Sequence, residues 1–216
     1  MARKKFFGMN KLNDDYNWIL EYPDYHLWQT KDIINQGQQF FLKKYSIHDG
    51  KIEANIHPSQ RLIYEFVLKK YPRTVYEIGF GYANHLINIH KILEGKVKLA
   101  GCELLQEQYD NAKKFHDIDK YGIDFTIGDF LEIEIKDKYE LVYSNTVLMH
   151  MSEKRAQLSI EKMCHISSKY ILILDGKLPI DNPVEFCRQF GIVKEYEEYW
   201  KIWSDNRTVP MLITKE

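Results

Sequence analysis

The sequence predicts an α/β fold built on a doubly wound, mostly parallel sheet of seven strands. From residue 74 onward, short apolar runs rich in β-branched residues alternate with longer segments of helical periodicity, which is the pattern of parallel strands joined by crossover helices. Near the end, two further β-rich segments are separated by the turn-forming sequence Ser-Asp-Asn-Arg at 204–207. This order predicts a C-terminal antiparallel hairpin.

The individual elements follow from the spacing of apolar residues. Strands are expected at 74–80, 97–104, 124–130, 139–145 and 169–175. The helices between them, at 83–93, 106–118 and 152–166, carry apolar residues at intervals of three and four, with charged residues on the opposite face. Ser152 is predicted to cap the last of these helices, because its hydroxyl can accept a bond from an unpaired amide. A short helix at 183–190 and strands at 192–203 and 208–214 complete the domain.

Residues 1–73 are predicted to form an N-terminal helical extension to the main domain at 74–216. A first helix is expected at 31–45, a turn at Asp49-Gly50 and a second helix at 58–71. The second helix begins at Pro58, because proline is favoured in a first helical turn, and ends before Pro72. No linker rich in glycine or serine follows, so we expect the extension to pack on the same domain as a lid.

Composition excludes several classes of function. The chain has 216 residues, with 30 Lys and Arg against 31 Asp and Glu, so no excess of cations is available to neutralise a run of phosphates. Cys102, Cys164 and Cys187 are far apart and show no metal-binding spacing, which favours neither disulfides nor a zinc site. The longest apolar run, 170–174, is too short to span a bilayer. We expect a cytoplasmic protein without a signal peptide.

A glycine-spaced turn follows the first predicted strand. Gly79 and Gly81 would let the backbone turn tightly and let a ligand lie close to it. A structural turn without a ligand is the alternative interpretation. The dinucleotide-binding fingerprint would also need glycine at position 84, where this chain has Asn84, so a nicotinamide cofactor is disfavoured.

Acidic residues recur along successive predicted strands. Glu77 lies inside the first strand, Glu103 closes the second and Asp129 closes the third. In a doubly wound sheet these strand ends converge on one crevice at the topological switch point. The pattern therefore predicts a ligand site there, although Glu103 could be a surface acid and Asp129 a turn former.

This order resembles the class I S-adenosylmethionine-dependent methyltransferase family over roughly 74–216, and Glu77-x-Gly79-x-Gly81 matches its first motif. The resemblance implies that Gly79 and Gly81 line the methionine moiety and that Glu103 binds both ribose hydroxyls. It also implies that Asp129 and Phe130 hold the adenine. The complete set of cofactor-binding residues expected from it is Glu77, Gly79, Gly81, Tyr82, Glu103, Leu104, Asp129, Phe130 and Asn145. Ala83 departs from the family pattern, because many members carry a third glycine there.

The sequence at the end of the fourth predicted strand limits which classes of methyl acceptor are expected. Its end faces the reactive methyl group in such enzymes, and here it reads Ser-Asn-Thr-Val at 144–147. This is not the Asn/Asp-Pro-Pro-aromatic motif of enzymes that methylate adenine or glutamine nitrogens, and there is no Pro-Cys pair for cytosine. Both of these subclasses of methyltransferase are therefore disfavoured, and we do not expect a nucleic-acid partner. A magnesium site would need an acid at this strand end, so we expect no metal.

Methyl transfer from a sulfonium is an in-line displacement, so the enzyme has to position the acceptor and remove any proton from it. His150 is the best candidate for a general base, because imidazole titrates near neutral pH, although it could also stack on the cofactor or cap the next helix. Asp175 is a second candidate for acceptor contact, with a loop cap as the alternative. We expect a small-molecule acceptor, methylated on a hydroxyl oxygen. The alternatives are a protein or structured-RNA acceptor, or a non-catalytic cofactor-binding module.

The extension carries possible acceptor determinants. An aromatic cluster could form a lid or wall, or could only anchor the extension; its members are Trp18, Tyr22, Tyr25, His26 and Trp28. His57 and Arg61 could bind an anionic group of the acceptor, or could be surface residues.

Overall fold

The computed structural model describes residues 45–54, 58–176, 178–196 and 210–215. The strands are β1 (Ser46–His48), β2 (Lys51–Glu53), β3 (Thr74–Ile78), β4 (Lys98–Glu103), β5 (Asp124–Ile127), β6 (Tyr139–Asn145), β7 (Ser167–Leu174), β8 (Ile192–Glu195) and β9 (Met211–Thr214). The helices are α1 (Pro58–Lys70), α2 (Asn84–Ile92), α3 (Gln106–Phe115), α4 (Glu153–Ile166) and α5 (Pro183–Arg188), with short 3₁₀ helices at Ile118–Tyr121 and Leu148–His150. The helix predicted at 31–45 and the aromatic cluster lie outside the described residues, apart from Tyr45.

Seven strands form one sheet in the order β5-β4-β3-β6-β7-β9-β8. The first five are parallel, whereas β9 is antiparallel to both β7 and β8. The predicted doubly wound sheet and its C-terminal antiparallel hairpin are thus confirmed. The chain moves outward from β3 to β5 and then returns to the other side of β3 at β6. The topological switch point therefore lies between β3 and β6, where such sheets bind ligands at the carboxyl ends of the strands.

Glycines end two of the strands earlier than the sequence predicts. β3 ends at Ile78 because Gly79 has φ 67°, and β5 ends at Ile127 because Gly128 has φ 151°. Backbone in this region cannot continue a strand. Asp129 and Phe130 consequently lie in the turn after β5 and do not close the strand itself.

Helices cover both faces of the sheet. On one face, α1 and α2 bury apolar side chains against the same core as Leu141 and Leu172, whereas on the other face α4 packs against Val142 and Ile171. Adjacent residues of β6 thus face opposite cores, as the alternation of side chains along a strand requires. The predicted cap of α4 is confirmed, since Ser152 Oγ accepts a bond from the Arg155 amide at 3.4 Å.

The described part of the extension contains a hairpin that the sequence did not predict. Asp49 and Gly50 form the expected turn, with φ 51° and φ 72°, and positive φ at both central residues is typical of the tight turn that joins two antiparallel strands. These strands, β1 and β2, are paired from Ser46↔Glu53 to His48↔Lys51. They were missed because each is only three residues long.

Two further expectations concern the whole domain. Cys102, Cys164 and Cys187 are buried free thiols. Within the described residues, none of the helices combines the length and the apolar composition needed to cross a membrane.

Glu140 ties together the amino ends of three strands. Its carboxylate accepts bonds from the Arg73 amide at 3.0 Å, from Arg73 Nε at 3.1 Å and from Lys169 Nζ at 2.9 Å. The Arg73 amide, followed by the Lys169 and Arg73 side chains, lowers the pKa of Glu140 to about 2. Residues that precede β3, begin β6 and lie within β7 are therefore joined by one charge.

We predict that Glu140→Gln lowers the free energy of unfolding by about 1–2 kcal/mol at pH 7, a figure reduced for solvent screening of partly exposed partners. Because the pKa of Glu140 is lowered, its stabilisation is present above the unfolded-state pKa of about 4.3. It is lost as the pH falls toward about 2.

Urea unfolding at pH 7, 4 and 2.5 measures this difference, which should shrink as the pH falls. Glu185→Gln is the control, since its ion pair with Arg188 is 65% and 61% exposed and should change stability by less than about 0.5 kcal/mol. A difference that persists undiminished at pH 2.5 would contradict the assigned charge interaction.

Candidate functional site

The turn after β3 lies at the switch point and contacts the loop after β6. A Cβ at Gly79 would overlap Val147 Cγ2, so glycine is needed for this close approach. At Gly81, with φ 52°, a Cβ would meet nothing within 4 Å. The turn is therefore packed against protein at Gly79 and open at Gly81, where a ligand can approach the backbone. Ala83, where the family pattern favours glycine, has φ 59°, a conformation costly for alanine.

Glu103 joins this turn to the end of β4. Its two carboxylate oxygens accept bonds from the amides of Gly81 at 2.9 Å and Leu105 at 3.1 Å. Burial raises the pKa of Glu103, while these amides oppose the rise. A carboxylate has about four lone-pair sites, so two bonds leave capacity for further donors beside Gly81.

Glu77 lies beneath the turn and is 1% exposed. Its Oε2 has no hydrogen-bond partner among the described residues. Burial raises its pKa to about 8, the nearby Tyr143 hydroxyl opposes this rise, and the neighbouring charge of Glu103 adds to it. A buried acceptor without a donor is costly, so this atom suits a ligand that brings a donor or a positive charge.

Asp129 and Phe130 are engaged within the protein. The Asp129 carboxylate accepts the Leu131 amide at 2.9 Å and forms an ion pair with Arg155. The Phe130 ring is 4% exposed and lies under the Lys162 ammonium group, 5.1 Å from it. The structure therefore gives both residues a role in the turn after β5 and in the core.

Two predicted residues flank the opening. Leu104 follows Glu103 and is one of the exposed large apolar residues, at 38%. Tyr82, within the glycine turn, packs edge-to-face on Phe115 with 5.7 Å between ring centroids. Tyr82 follows Gly81 in the chain, and Leu104 follows Glu103, which accepts the Gly81 amide, so both can supply apolar surface at the edge of the site.

Asn145, at the end of β6, belongs to a hydrogen-bonded chain that sequence reasoning missed. Its Nδ2 nitrogen lies 2.9 Å from His85 Nε2, and His85 Nδ1 lies 2.9 Å from the Tyr64 hydroxyl. That hydroxyl also accepts a bond from Asn88 at 2.7 Å. Burial lowers the pKa of His85 to about 4, so the ring is neutral near pH 7. Only the position of His85 in the first turn after the glycine loop could have drawn attention to it.

Asp175 shapes the loop that carries His150. It is 3% exposed and accepts bonds from Ser144 Oγ at 2.6 Å and from the amides of Val147 at 2.6 Å and Met149 at 3.2 Å. Burial raises its pKa, against the effect of these donors. His150 ends the 3₁₀ helix of this loop, and burial lowers its pKa to about 4. The carboxylate is thus committed to the loop, and the imidazole of His150 at the end of the loop is neutral near pH 7.

The geometry agrees with comparisons to known proteins. Residues 75–168, from β3 to the start of β7, match the family model described as a methyltransferase domain. The chain therefore contains a methyltransferase domain, and its fold is that of the class I S-adenosylmethionine-dependent enzymes. Their methyl donor is S-adenosylmethionine, so this methyltransferase uses it as cofactor. No curated protein matches the sequence.

Solved structures share the fold of this methyltransferase at low sequence identity. Magnesium protoporphyrin IX methyltransferase (ChlM) from Synechocystis PCC 6803, with bound SAH, has a TM-score of 0.60 and 9% identity over 90% of this chain and 100% of its own. TehB from Haemophilus influenzae has a TM-score of 0.56 and 14% identity over 76% of this chain and 64% of its own. The methyltransferase domain of bacterial CtHen1-C has a TM-score of 0.57 and 14% identity over 73% of this chain and 97% of its own.

The residues at the switch point fit this cofactor. The unpartnered Oε2 of Glu77 can accept from an ammonium group, and the remaining lone pairs of Glu103 can accept from a ribose diol. The open space at Gly81 leaves room for the ligand. Among the described residues, no group of three His, Cys, Asp or Glu side chains is placed to hold a metal ion.

We predict that Gly81→Ala weakens binding of S-adenosylhomocysteine by about tenfold or more, because the new methyl group occupies the space beside the turn. Gly122→Ala is the matched control, since Gly122 has φ 60° and equally open surroundings in a distant turn. Both substitutions should destabilise the fold by ~1 kcal/mol, the cost of a left-handed alanine.

Calorimetric titration and thermal unfolding separate the two effects. Equal loss of affinity in both variants would show that strain, and not occupation of the ligand space, is responsible.

Proposed function

We propose that this methyltransferase modifies a small-molecule acceptor on a hydroxyl oxygen. The observation that carries the proposal is the neutral imidazole of His150, placed after β6 on a loop fixed by the buried Asp175 carboxylate. A neutral imidazole is the form that can take a proton from a hydroxyl. When bound, S-adenosylmethionine supplies a methyl group activated by its sulfonium.

We propose that the residues at the switch point bind the cofactor. Glu77 accepts from the amino group of the methionine moiety, Gly79 and Gly81 line that moiety, and Glu103 binds the ribose hydroxyls. Leu104, Tyr82 and the turn formed by Asp129 and Phe130 border the adenine. In this turn the Asp129 side chain already has two partners, so its contribution is to hold the turn through Arg155.

Asp175 supports the proposed reaction by positioning. Its oxygens hold the Val147 and Met149 amides, so the loop that ends at His150 keeps a defined path beside Gly79. Such positioning matters in an in-line displacement, because the acceptor must lie opposite the leaving sulfur. We therefore infer that Asp175 acts through the loop, while His150 contacts the acceptor.

The balanced charge of the chain, −1 overall, supports a small acceptor over a long polyanion. The same fold serves a small acceptor in magnesium protoporphyrin IX methyltransferase. A protein or structured-RNA acceptor, or cofactor binding without turnover, are the outcomes that would replace this proposal.

We predict that Glu103→Gln weakens binding of S-adenosylhomocysteine by about 10- to 100-fold, since a charged acceptor of two hydroxyl bonds becomes a neutral one. The unaltered protein should bind S-adenosylmethionine and S-adenosylhomocysteine saturably and should not bind NAD. Glu134→Gln is the control, because its side chain is 77% exposed and pairs only with Lys136. Unchanged affinity in Glu103→Gln would show that the ribose lies elsewhere.

We predict that His150→Ala lowers kcat by about 10²- to 10⁴-fold on the acceptor found by a screen with labelled methyl groups, while cofactor affinity changes less than about threefold. His165→Ala, in the last turn of α4 and exposed, should leave kcat unchanged.

The pH profile provides an independent check. The base must be neutral, so activity is lost as the pH falls through its pKa, which is lowered to about 4. The rate should therefore show no inflection near 6.5 attributable to His150. Full turnover by His150→Ala would exclude the general base, and turnover only on a protein or RNA in the screen would exclude the small acceptor.

A further inference from the structure

A chain of hydrogen bonds links the extension to the end of β6. It runs from Asn88 through the Tyr64 hydroxyl and the His85 ring to the Asn145 amide, with separations of 2.7, 2.9 and 2.9 Å. Tyr64 belongs to α1 of the extension, His85 and Asn88 to α2, and Asn145 to β6. Three elements that are remote in sequence thus meet beside the switch point.

The direction of this chain follows from the Tyr64 hydroxyl. Tyr64 is completely buried, so its hydroxyl hydrogen needs an acceptor. Asn88 donates to the oxygen, which leaves His85 Nδ1 as the acceptor within the described residues. A neutral imidazole that accepts at Nδ1 carries its hydrogen at Nε2. The hydrogen at Nε2 then points at Asn145.

The Asn145 side chain can accept a hydrogen bond from Nε2 if its oxygen faces His85. The structure places the Asn145 nitrogen toward Nε2, and in that orientation the Tyr64 hydrogen would have no acceptor, at a cost of about 1–3 kcal/mol. Rotation of the Asn145 amide by half a turn removes that cost, because oxygen and nitrogen exchange places. Asn145 is only partly buried, whereas Asn88 is completely buried and held by its surroundings. We therefore expect the side-chain amide of Asn145, and not that of Asn88, to rotate.

We propose that His85 is a positioning residue that, held by Tyr64 of the extension, turns the NH₂ group of Asn145 toward the acceptor side of the site. The group that lies against Asn145 is then one that accepts a hydrogen bond, such as a carbonyl or carboxylate oxygen of the acceptor molecule. This second statement rests on the proposed function, whereas the direction of the chain does not.

The direct test is the tautomer of His85, observed by ¹H–¹⁵N NMR of the full chain labelled at its histidine rings, with His85→Gln to identify the signal. We expect one neutral tautomer with the hydrogen at Nε2, both without ligand and with S-adenosylhomocysteine. A ring with the hydrogen at Nδ1 would overturn the proposal. This measurement needs neither turnover nor an acceptor. Its result therefore tests the direction of the hydrogen bonds independently of the proposed function.

Asn145→Asp tests the same direction from the other end at pH 8. An aspartate can accept from Nε2 but cannot donate to it, so the Nε2 tautomer should be retained. If Asn145 instead donates to His85, this substitution should move the hydrogen from Nδ1 to Nε2, and that change would contradict the proposal.

Tyr64→Phe tests the contribution of the extension, with Tyr76→Phe as the matched control. Both tyrosines are buried, but Tyr76 belongs to the core on the other face of the sheet, where its hydroxyl lies beside the Cys102 thiol. Tyr64→Phe should yield a mixture of His85 tautomers and shift the side-chain NH₂ signal of Asn145, whereas Tyr76→Phe should change neither.

On the acceptor found in the screen, Tyr64→Phe should raise KM by about tenfold, with the affinity for S-adenosylhomocysteine unchanged. Identical spectra and kinetics in the two variants would show that Tyr64 is only a packing residue. Should Tyr64→Phe fail to fold, the tautomers of the unaltered chain and of Asn145→Asp still decide the question.

Discussion

Buried carboxylates must be met by hydrogen-bond donors, and at the carboxyl edge of this sheet many of the donors are backbone amides of the loops that form the site. Glu103 holds the glycine turn through the Gly81 amide, and Asp175 holds the loop after β6 through the Val147 and Met149 amides. The two loops meet where Gly79 approaches Val147. Because Glu103 ends β4 and Asp175 follows β7, the parallel sheet itself fixes the distance between the loops that these acids hold.

Some polar groups of the site are fully hydrogen-bonded within the protein, whereas others retain spare acceptor capacity. We assign structural roles to the first and propose ligand binding for the second. Asp175 and Asp129 are occupied by donors of the protein, from loop amides, a hydroxyl or an arginine. Within the described part of the chain, Glu77 keeps an oxygen that accepts no hydrogen bond, and the Glu103 oxygens accept bonds from the Gly81 and Leu105 amides. A charged ligand group can therefore be received without breaking the bonds that hold the turn, since only the spare acceptors are used.

The extension reaches the site through polar contacts as well as packing. Apolar residues of α1 join the same core as α2 and β6, but Tyr64 places a hydroxyl in that core, where it requires partners. His85 and Asn88 supply them. The His85 ring, held by Tyr64 through Nδ1, lies against the Asn145 side chain through Nε2 and so limits how that side chain can be oriented. Movement of α1 would thus disturb a side chain beside the switch point. In this way a segment added before the first strand of the sheet can influence which acceptor is bound.

Local sequence patterns predicted the parallel sheet, its C-terminal hairpin, the glycine turn after β3 and the positions of Glu77 and Glu103, because periodicity and strand-end residues are local properties. The N-cap at Ser152 was predictable for the same reason. The partners of these side chains depend on the tertiary structure. Asp129 pairs with Arg155, Asp175 accepts the loop amides, and Asn145 lies against His85. These partners are separated by 26, 28 and 60 positions. Their meeting depends on strand order and register, which no local pattern encodes, whereas hydrogen bonding acts only at contact distance.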